Sequence, residues 1–190
     1  MDKTIARQNL GLIEDKPVVA VLGGSQGSRP LNQHFSQSYP DYTTKNIQVL
    51  WQCGKREYPA LKDINNKDLV NIFPFSNDMG AVYSAADIVI SRAGALAISE
   101  MAMMGKAMIL VPFPFAAGDH QLKNAQSITD KGAAKLVLQS RLSDGELEST
   151  VIELLDDKEE LNTMETKASS FSTPDAVENI LNAIMEVAQS

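Results

Sequence analysis

The stretch "VVAVLGGSQGSRPLN", from Val18 to Asn32, decides the fold class. It opens on an apolar run, Val18 to Gly23, without polar alternation, which predicts a strand buried on both faces. Glycines at positions 23, 24 and 27 follow, and glycine lets the backbone turn tightly. A helix is predicted from Arg29 to Ser38. Strand, tight loop and helix in this order form the unit from which parallel α/β sheets are built.

The same alternation of short apolar runs and helical patterns continues along the chain. Further strands are predicted at Ile47–Gln52, Leu69–Phe73, Asp87–Ser91, Ala107–Pro112 and Ala134–Leu138. Further helices are predicted at Asp78–Ala86, Ala95–Met104, His120–Lys131, Ser143–Leu155, Lys158–Ser170 and Pro174–Ala188. We therefore predict an α/β fold, a Rossmann-like doubly wound parallel sheet over residues 17–190. Residues 1–16 show no burial pattern, and we expect a linker or helix fragment, the truncated edge of a preceding region.

Composition limits the class of protein. The chain has 190 residues, of which 44% are hydrophobic, and a formal net charge of −7. This acidity argues against nucleic acid as a partner. No stretch approaches the roughly 20 apolar residues of a membrane span, and the first residues lack the apolar core of a signal peptide, so we expect a cytoplasmic protein without direct membrane insertion. We expect Cys53, the single cysteine, to be a small, half-buried apolar residue.

Three unusual loops follow predicted strands, where open α/β sheets bind ligands. The first is "LGGSQGSRPLN", from Leu22 to Asn32, whose glycines let the backbone approach a ligand closely. It has Ser28 and Arg29 where the Walker pattern needs Lys and Ser or Thr, and it lacks the G-x-G-x-x-G spacing. A tight strand-to-helix turn without a ligand is the alternative interpretation.

The second loop is "SRAGALAISE", from Ser91 to Glu100. Gly94 supplies a turn, and a helix from Ala95 presents free N–H groups and the positive end of its dipole, which favour a phosphate. About one turn into this helix, Glu100 can accept two hydrogen bonds from a vicinal diol such as that of a ribose. The alternative for Glu100 is a carboxylate that only stabilises the start of the helix.

The third loop is "PFPFAAGDHQLKNA", from Pro112 to Ala125. Asp119 is a candidate N-cap, and His120 and Gln121 carry polar groups that suit the hydroxyls of a sugar. The sequence has no D-x-D, no H-E-x-x-H and no cysteine pair, so we expect neither a metal nor another cofactor. Phosphate charge is then expected to be met by backbone dipoles.

Together, "GGSQGSRPLN" at 23–32, "FSNDMGAVYSAADIVISRAGALAISEMAMMGKAMILVPFP" at 75–114 and "DHQLKNA" at 119–125 resemble the C-terminal domain of the MurG glycosyltransferases of family 28. The resemblance implies the GT-B architecture, in which two Rossmann-like domains face a cleft. It also implies UDP-N-acetylglucosamine as the donor and an inverting, metal-independent transfer that converts lipid I to lipid II in peptidoglycan synthesis.

The resemblance also implies roles for individual residues. The diphosphate would lie against Ser25, Gln26, Ala95, Leu96 and Ala97, and Gly94 would also belong to the substrate-binding residues. The ribose would bind Glu100, and uracil would lie against Phe75, Ser76 and Met79. The donor sugar would meet His120 and Gln121, with Asn124 completing that motif. Some relatives have a hydroxyl residue at the Ala97 position, and alanine offers only its N–H. Arg92 follows the family pattern, either touching the ligand or clamping the loop.

The resemblance covers only the donor half of such an enzyme. The acceptor site and the general base belong to an N-terminal domain, so we expect this chain alone to be inactive. It is either an excised piece or a natural soluble subunit of the dolichol-linked type. The full-length protein would be peripheral on the cytoplasmic face of the inner membrane, where it meets its lipid-linked acceptor. A diacylglycerol galactosyltransferase and a non-catalytic nucleotide-binding module remain the competing interpretations.

Overall fold

The computed structural model describes residues 1–65 and 69–172 and contains, in these ranges, one sheet of six parallel strands. Their order across the sheet is β3-β2-β1-β4-β5-β6, and every neighbouring pair is parallel. The bounds are β1 Val18–Leu22, β2 Gln48–Gln52, β3 Val70–Phe73, β4 Ile88–Ser91, β5 Ala107–Leu110 and β6 Ala134–Leu136. All six predicted strands and the doubly wound α/β fold are confirmed.

Helices connect the strands and cover both faces of the sheet. They are α1 Lys3–Asn9, α2 Arg29–Thr43, α3 Tyr58–Leu61, α4 Met79–Ala85, α5 Ala95–Met103, α6 His120–Thr129, α7 Glu146–Asp156 and α8 Lys158–Ser169, with 3-10 turns at Lys62–Ile64, Ala117–Asp119 and Gln139–Asp144. The predicted helix Pro174–Ala188 lies outside the described residues.

Strand β1 shows why the apolar runs do not alternate with polar residues. Val19 and Val21 point into a core shared with Phe35 of α2, whereas Val18 and Ala20 point into a second core on the opposite face. Because helices cover both faces, each position of β1 is buried. At the end of β2, Cys53 is fully buried rather than half-buried, and burial raises the pKa of its thiol to about 11.

Two predicted helix ends are wrong. Helix α2 does not stop at Ser38 but continues through Pro40 to Thr43, because Tyr42 stacks on Phe35 in the core, their ring centroids 5.5 Å apart. This packing outweighs the local cost of a proline inside a helix. Helix α7 begins at Glu146 rather than Ser143, because residues Gln139–Asp144 form a 3-10 turn instead.

Residues 1–16 contain a helix, one of the two forms expected for them, but this helix has a buried face that the sequence pattern did not show. Helix α1 buries Ala6 and Arg7 against the chain. The guanidinium of Arg7 donates to the carbonyl oxygen of Ala85 at 3.0 Å and pairs with Asp87 at 2.7 Å. Asp87 also accepts the backbone N–H of Val18 at 2.7 Å, so α1 is fixed to the amino ends of β1 and β4. Only two of the seven residues of α1 are buried, so the sequence of this helix shows no recognisable apolar face.

The sheet reverses its winding between β1 and β4. From β1 the chain runs outward through β2 and β3, then returns to place β4 on the other side of β1. In such folds, a crevice opens where the loops after the two central strands diverge. All six strands end at the same edge, so the three unusual loops share that edge with this crevice.

A partly buried hydrogen-bonded pair, His34 and Glu148, joins α2 to α7 on one face. Nε2 of His34 lies 2.6 Å from Oε1 of Glu148, and both side chains are 13% exposed. Burial alone would raise the pKa of Glu148, but the hydrogen bond and charge of His34 outweigh it and leave that pKa below its ordinary value.

Because the pKa of Glu148 is lowered in the folded state, the stability it contributes is complete above the pKa of the unfolded chain. It is lost as the pH falls through the folded value. We expect Glu148→Gln to reduce the free energy of unfolding by about 1–3 kcal/mol at neutral pH, and less under acid conditions. Urea unfolding from pH 7 to pH 3 measures this. Glu153→Gln, at an exposed position of α7, is the control; equal losses from both variants would contradict the assignment.

Candidate functional site

The glycine loop after β1 is a tight turn packed against the loop after β2. The N–H of Gly27 donates to the carbonyl oxygen of Gly24 at 2.9 Å, and both glycines have positive φ. A Cβ on Gly27 would lie 2.2 Å from the carbonyl oxygen of Cys53, and a Cβ on Gly54 would lie 2.6 Å from that of Gln26. The two backbones therefore touch where no side chain fits.

The side chain of Gln52, the last residue of β2, forms hydrogen bonds with the loop after β1 and with the loop after β3. Its Nε2 donates to the carbonyl oxygen of Gly24 at 3.2 Å, and its Oε1 accepts from the N–H of Ser76 at 3.2 Å. Ser25 and Gln26 stay exposed at the tip of the glycine loop. Sequence reasoning missed Gln52, because nothing local distinguishes it from other polar strand ends.

The side chain of Arg92, just after β4, links several loops of the chain by hydrogen bonds. It is 9% exposed, and all five of its N–H groups donate within the chain. Two go to Oγ of Ser28, two to the carbonyl oxygens of Val111 and Pro112, and one to Oε1 of Gln139. Burial lowers its pKa to about 10. Of the two roles left open for Arg92, this geometry supports clamping of the loops rather than ligand contact.

Helix α5 begins with exposed backbone amides. Gly94 is its N-cap and provides no side-chain cap, and the first intrahelical bond runs from the N–H of Ile98 to the carbonyl oxygen of Gly94 at 3.0 Å. The amides of Ala95, Leu96 and Ala97 precede that bond. They lie at the carboxyl end of β4, next to β1 and its glycine loop. Such a helix start attracts an anion.

Glu100 is held in place by a tyrosine that the sequence did not single out. The hydroxyl of Tyr83 donates to Oε2 of Glu100 at 2.9 Å. Tyr83 is 3% exposed, and burial together with Glu100 raises the pKa of its hydroxyl well above the ordinary value. Because Tyr83 belongs to α4, only the tertiary fold brings the pair together. The carboxylate is therefore oriented on the same helix as the free amides.

The segment predicted to meet uracil lies between β3 and α4. Phe75 is 41% exposed, whereas Met79 packs partly into the core. The N–H of Ser76 already donates to Gln52, and its hydroxyl accepts from the N–H of Asp78 at 3.1 Å. A base bound here would have to compete with Gln52 for the amide of Ser76.

The loop after β5 places His120 and Gln121 at the start of α6. Nδ1 of His120 lies 2.9 Å from the carbonyl oxygen of Ala117, which leaves Nε2 exposed. Oε1 of Gln121 accepts from the N–H of Phe113 at 2.9 Å, so its amide N–H groups remain for a ligand. Asp119 occupies the N-cap position of α6, as expected, but its side chain makes no cap bond, because its own backbone is left-handed at φ 56°.

Asn124 ties α6 to the loop after β4. Its Nδ2 donates to the carbonyl oxygen of Ala93 at 3.1 Å, which supports a positioning role.

The carboxyl edge thus presents backbone amides, an oriented carboxylate and polar groups on α6, a combination able to bind a nucleotide sugar. Across the described residues, no three His, Cys, Asp or Glu side chains cluster as a metal site would require. Every helix in the same ranges is too short or too polar to cross a bilayer.

Curated relatives match nearly the whole chain. One, from Flavobacterium psychrophilum, is 38% identical over 176 residues, and one from Bacillus cytotoxicus is 35% identical over 185 residues. Both are named UDP-N-acetylglucosamine--N-acetylmuramyl-(pentapeptide) pyrophosphoryl-undecaprenol N-acetylglucosamine transferase. The matches cover 93% and 95% of this chain but 48% and 51% of the relatives, so the chain spans about half their length.

The fold of the chain matches solved structures of other proteins. The crystal structure of Acinetobacter baumannii MurG superposes with a TM-score of 0.75 at 31% identity, covering 90% of this chain and 53% of that one. A UDP-N-acetylglucosamine 2-epimerase structure from Listeria monocytogenes, at 16% identity, a TM-score of 0.68 and coverage of 96% and 47%, shares the fold alone. The model of the glycosyltransferase family 28 C-terminal domain matches residues 18–180. The resemblance seen in the sequence is confirmed, and the chain belongs to the glycosyltransferase family 28 C-terminal domain family.

Proposed function

We propose that residues 17–190 bind UDP-N-acetylglucosamine as the donor domain of an inverting, metal-independent N-acetylglucosaminyltransferase that converts lipid I to lipid II in peptidoglycan synthesis. The observation that carries this proposal is the pairing, on helix α5, of an uncapped N-terminus with a carboxylate held by Tyr83. The amides suit a diphosphate, and the carboxylate suits the two hydroxyls of the adjoining ribose. The names of the relatives support this donor and acceptor.

In the proposed reaction, a hydroxyl of the lipid-linked acceptor loses its proton to a base and attacks the anomeric carbon, while the bond from that carbon to the diphosphate oxygen breaks. The departing UDP gains negative charge, and amides already aimed at it lower the barrier. This chain supplies donor recognition and stabilises the leaving group. The base and the acceptor site lie outside it, so the chain alone transfers nothing. Because the acceptor is a lipid, the complete enzyme works as a peripheral protein on the cytoplasmic face of the inner membrane.

Binding of UDP to the chain, measured by calorimetry, tests the role of Glu100. We expect the wild type to prefer UDP over 2′-deoxy-UDP, because the deoxy sugar offers one hydroxyl fewer to the carboxylate. Glu100→Gln should weaken UDP binding by about 1–3 kcal/mol and reduce that preference. Tyr83→Phe should weaken it less, because it removes the orienting bond and keeps the charge. Glu159→Gln, exposed on α8, is the matched control. Unchanged binding in Glu100→Gln would show that the carboxylate only stabilises the helix.

The choice of donor separates the competing functions. We expect UDP-N-acetylglucosamine to bind more tightly than UDP-galactose, and His120→Ala to weaken the former by about 0.5–1.5 kcal/mol while leaving UDP itself unaffected, since only the sugar would contact this side chain. Competition experiments with the three ligands measure this. Tighter UDP-galactose binding would favour a galactosyltransferase. Equal affinity for ADP and UDP would favour a general nucleotide-binding module.

A further inference from the structure

Two basic side chains, Lys55 and Arg56, lie beside the glycine loop and outside every motif considered above. An open cleft of about 470 Å³ is lined by Ser25, Gln26, Lys55, Arg56 and Phe75. In a chain with a net charge of −7, two adjacent cations at the ligand edge of the sheet are a local reversal of charge. Such a reversal is suited to an anion.

The backbone fixes where Lys55 stands. It directly follows Gly54, whose φ of +88° and close approach to the carbonyl oxygen of Gln26 admit no side chain. The carbonyl oxygen of Gly54 also accepts from the N–H of Tyr58 at 3.1 Å, at the start of α3. The Cα of Lys55 is therefore held next to the tip of the glycine loop by backbone contacts on both sides.

The side chain of Lys55 is available to a ligand. Its Nζ lies 5.8 Å from the centroid of the exposed Phe75 ring, a contact that holds an ammonium only weakly in water. Within residues 1–65 and 69–172, neither Lys55 nor Arg56 forms an ion pair. The ammonium can thus turn from the ring towards Ser25 at little cost.

We propose that Lys55 binds the diphosphate of the nucleotide, its Nζ donating a charge-assisted hydrogen bond to a phosphate oxygen at the glycine loop. This inference rests on the proposed function and replaces the expectation that backbone dipoles alone meet the phosphate charge. A helix N-terminus offers the equivalent of about half an elementary charge, far less than a diphosphate carries. A formal cation at the rim supplies part of the difference and stabilises departing UDP.

The test compares Lys55→Gln with two matched variants. Lys55→Arg keeps the charge, and Lys45→Gln removes the same charge from an exposed position just before the amino end of β2. UDP binding is measured by calorimetry at several salt concentrations, and uridine binding by ligand-observed NMR. We expect Lys55→Gln to weaken UDP binding by about three- to tenfold and to flatten its salt dependence, with uridine unchanged. Lys55→Arg should retain most of the affinity, and Lys45→Gln all of it.

Two results would overturn the inference. One is unchanged UDP affinity in Lys55→Gln. The other is an equal loss of affinity for UDP and for uridine, which would mean that Lys55 acts on the uracil base, next to Phe75, and not on the diphosphate. Both leave the proposed function standing, because the wild type still binds UDP. If the wild type binds neither UDP nor UDP-N-acetylglucosamine, the proposed function fails and this inference fails with it.

Discussion

The contact between the backbones at Gly27 and Gly54 is the constraint on which the ligand edge depends. Two loops that follow neighbouring strands meet there with no room for a Cβ on either side. The glycine loop is then held by this backbone contact, and the side chain of Asn32, at the end of the loop, adds a bond from Nδ2 to the carbonyl oxygen of Cys53 at 2.8 Å. A site that binds through amides needs this rigidity, because a mobile backbone would lose entropy on each binding event.

The three loops are also joined into one unit by two of their own side chains. Arg92 connects the start of α2 to the exit of β5, and Asn124 connects α6 to the end of β4. The helix predicted to face the sugar and the helix predicted to face the phosphates are thereby fixed relative to each other. Preorganisation of this kind lets charge that develops in a reaction be stabilised without movement of the protein.

The sequence predicted the strands and the three loops well, because their signals are local: an uninterrupted apolar run, a cluster of glycines, a helix start without bulky residues. It failed where distant residues decide the outcome. Helix α2 continues past its proline because Tyr42, which lies 14 residues after the N-cap Ser28, packs into the core. Ser28 looked like one more loop residue, yet its hydroxyl accepts from Arg92 rather than capping α2. Tyr83 and Gln52 gave no signal, because their partners come from other parts of the chain.

The bonding of Arg92 has an electrostatic consequence. Its acceptors are a hydroxyl, two carbonyl oxygens and a side-chain amide, all neutral, and no carboxylate pairs with it among the described residues. At neutral pH the guanidinium remains protonated, so a positive charge without a carboxylate partner lies three residues before the first residue of α5. Water screens a buried charge poorly, and its field therefore reaches the mouth of the crevice. An acidic protein can in this way still draw an anionic ligand towards one edge.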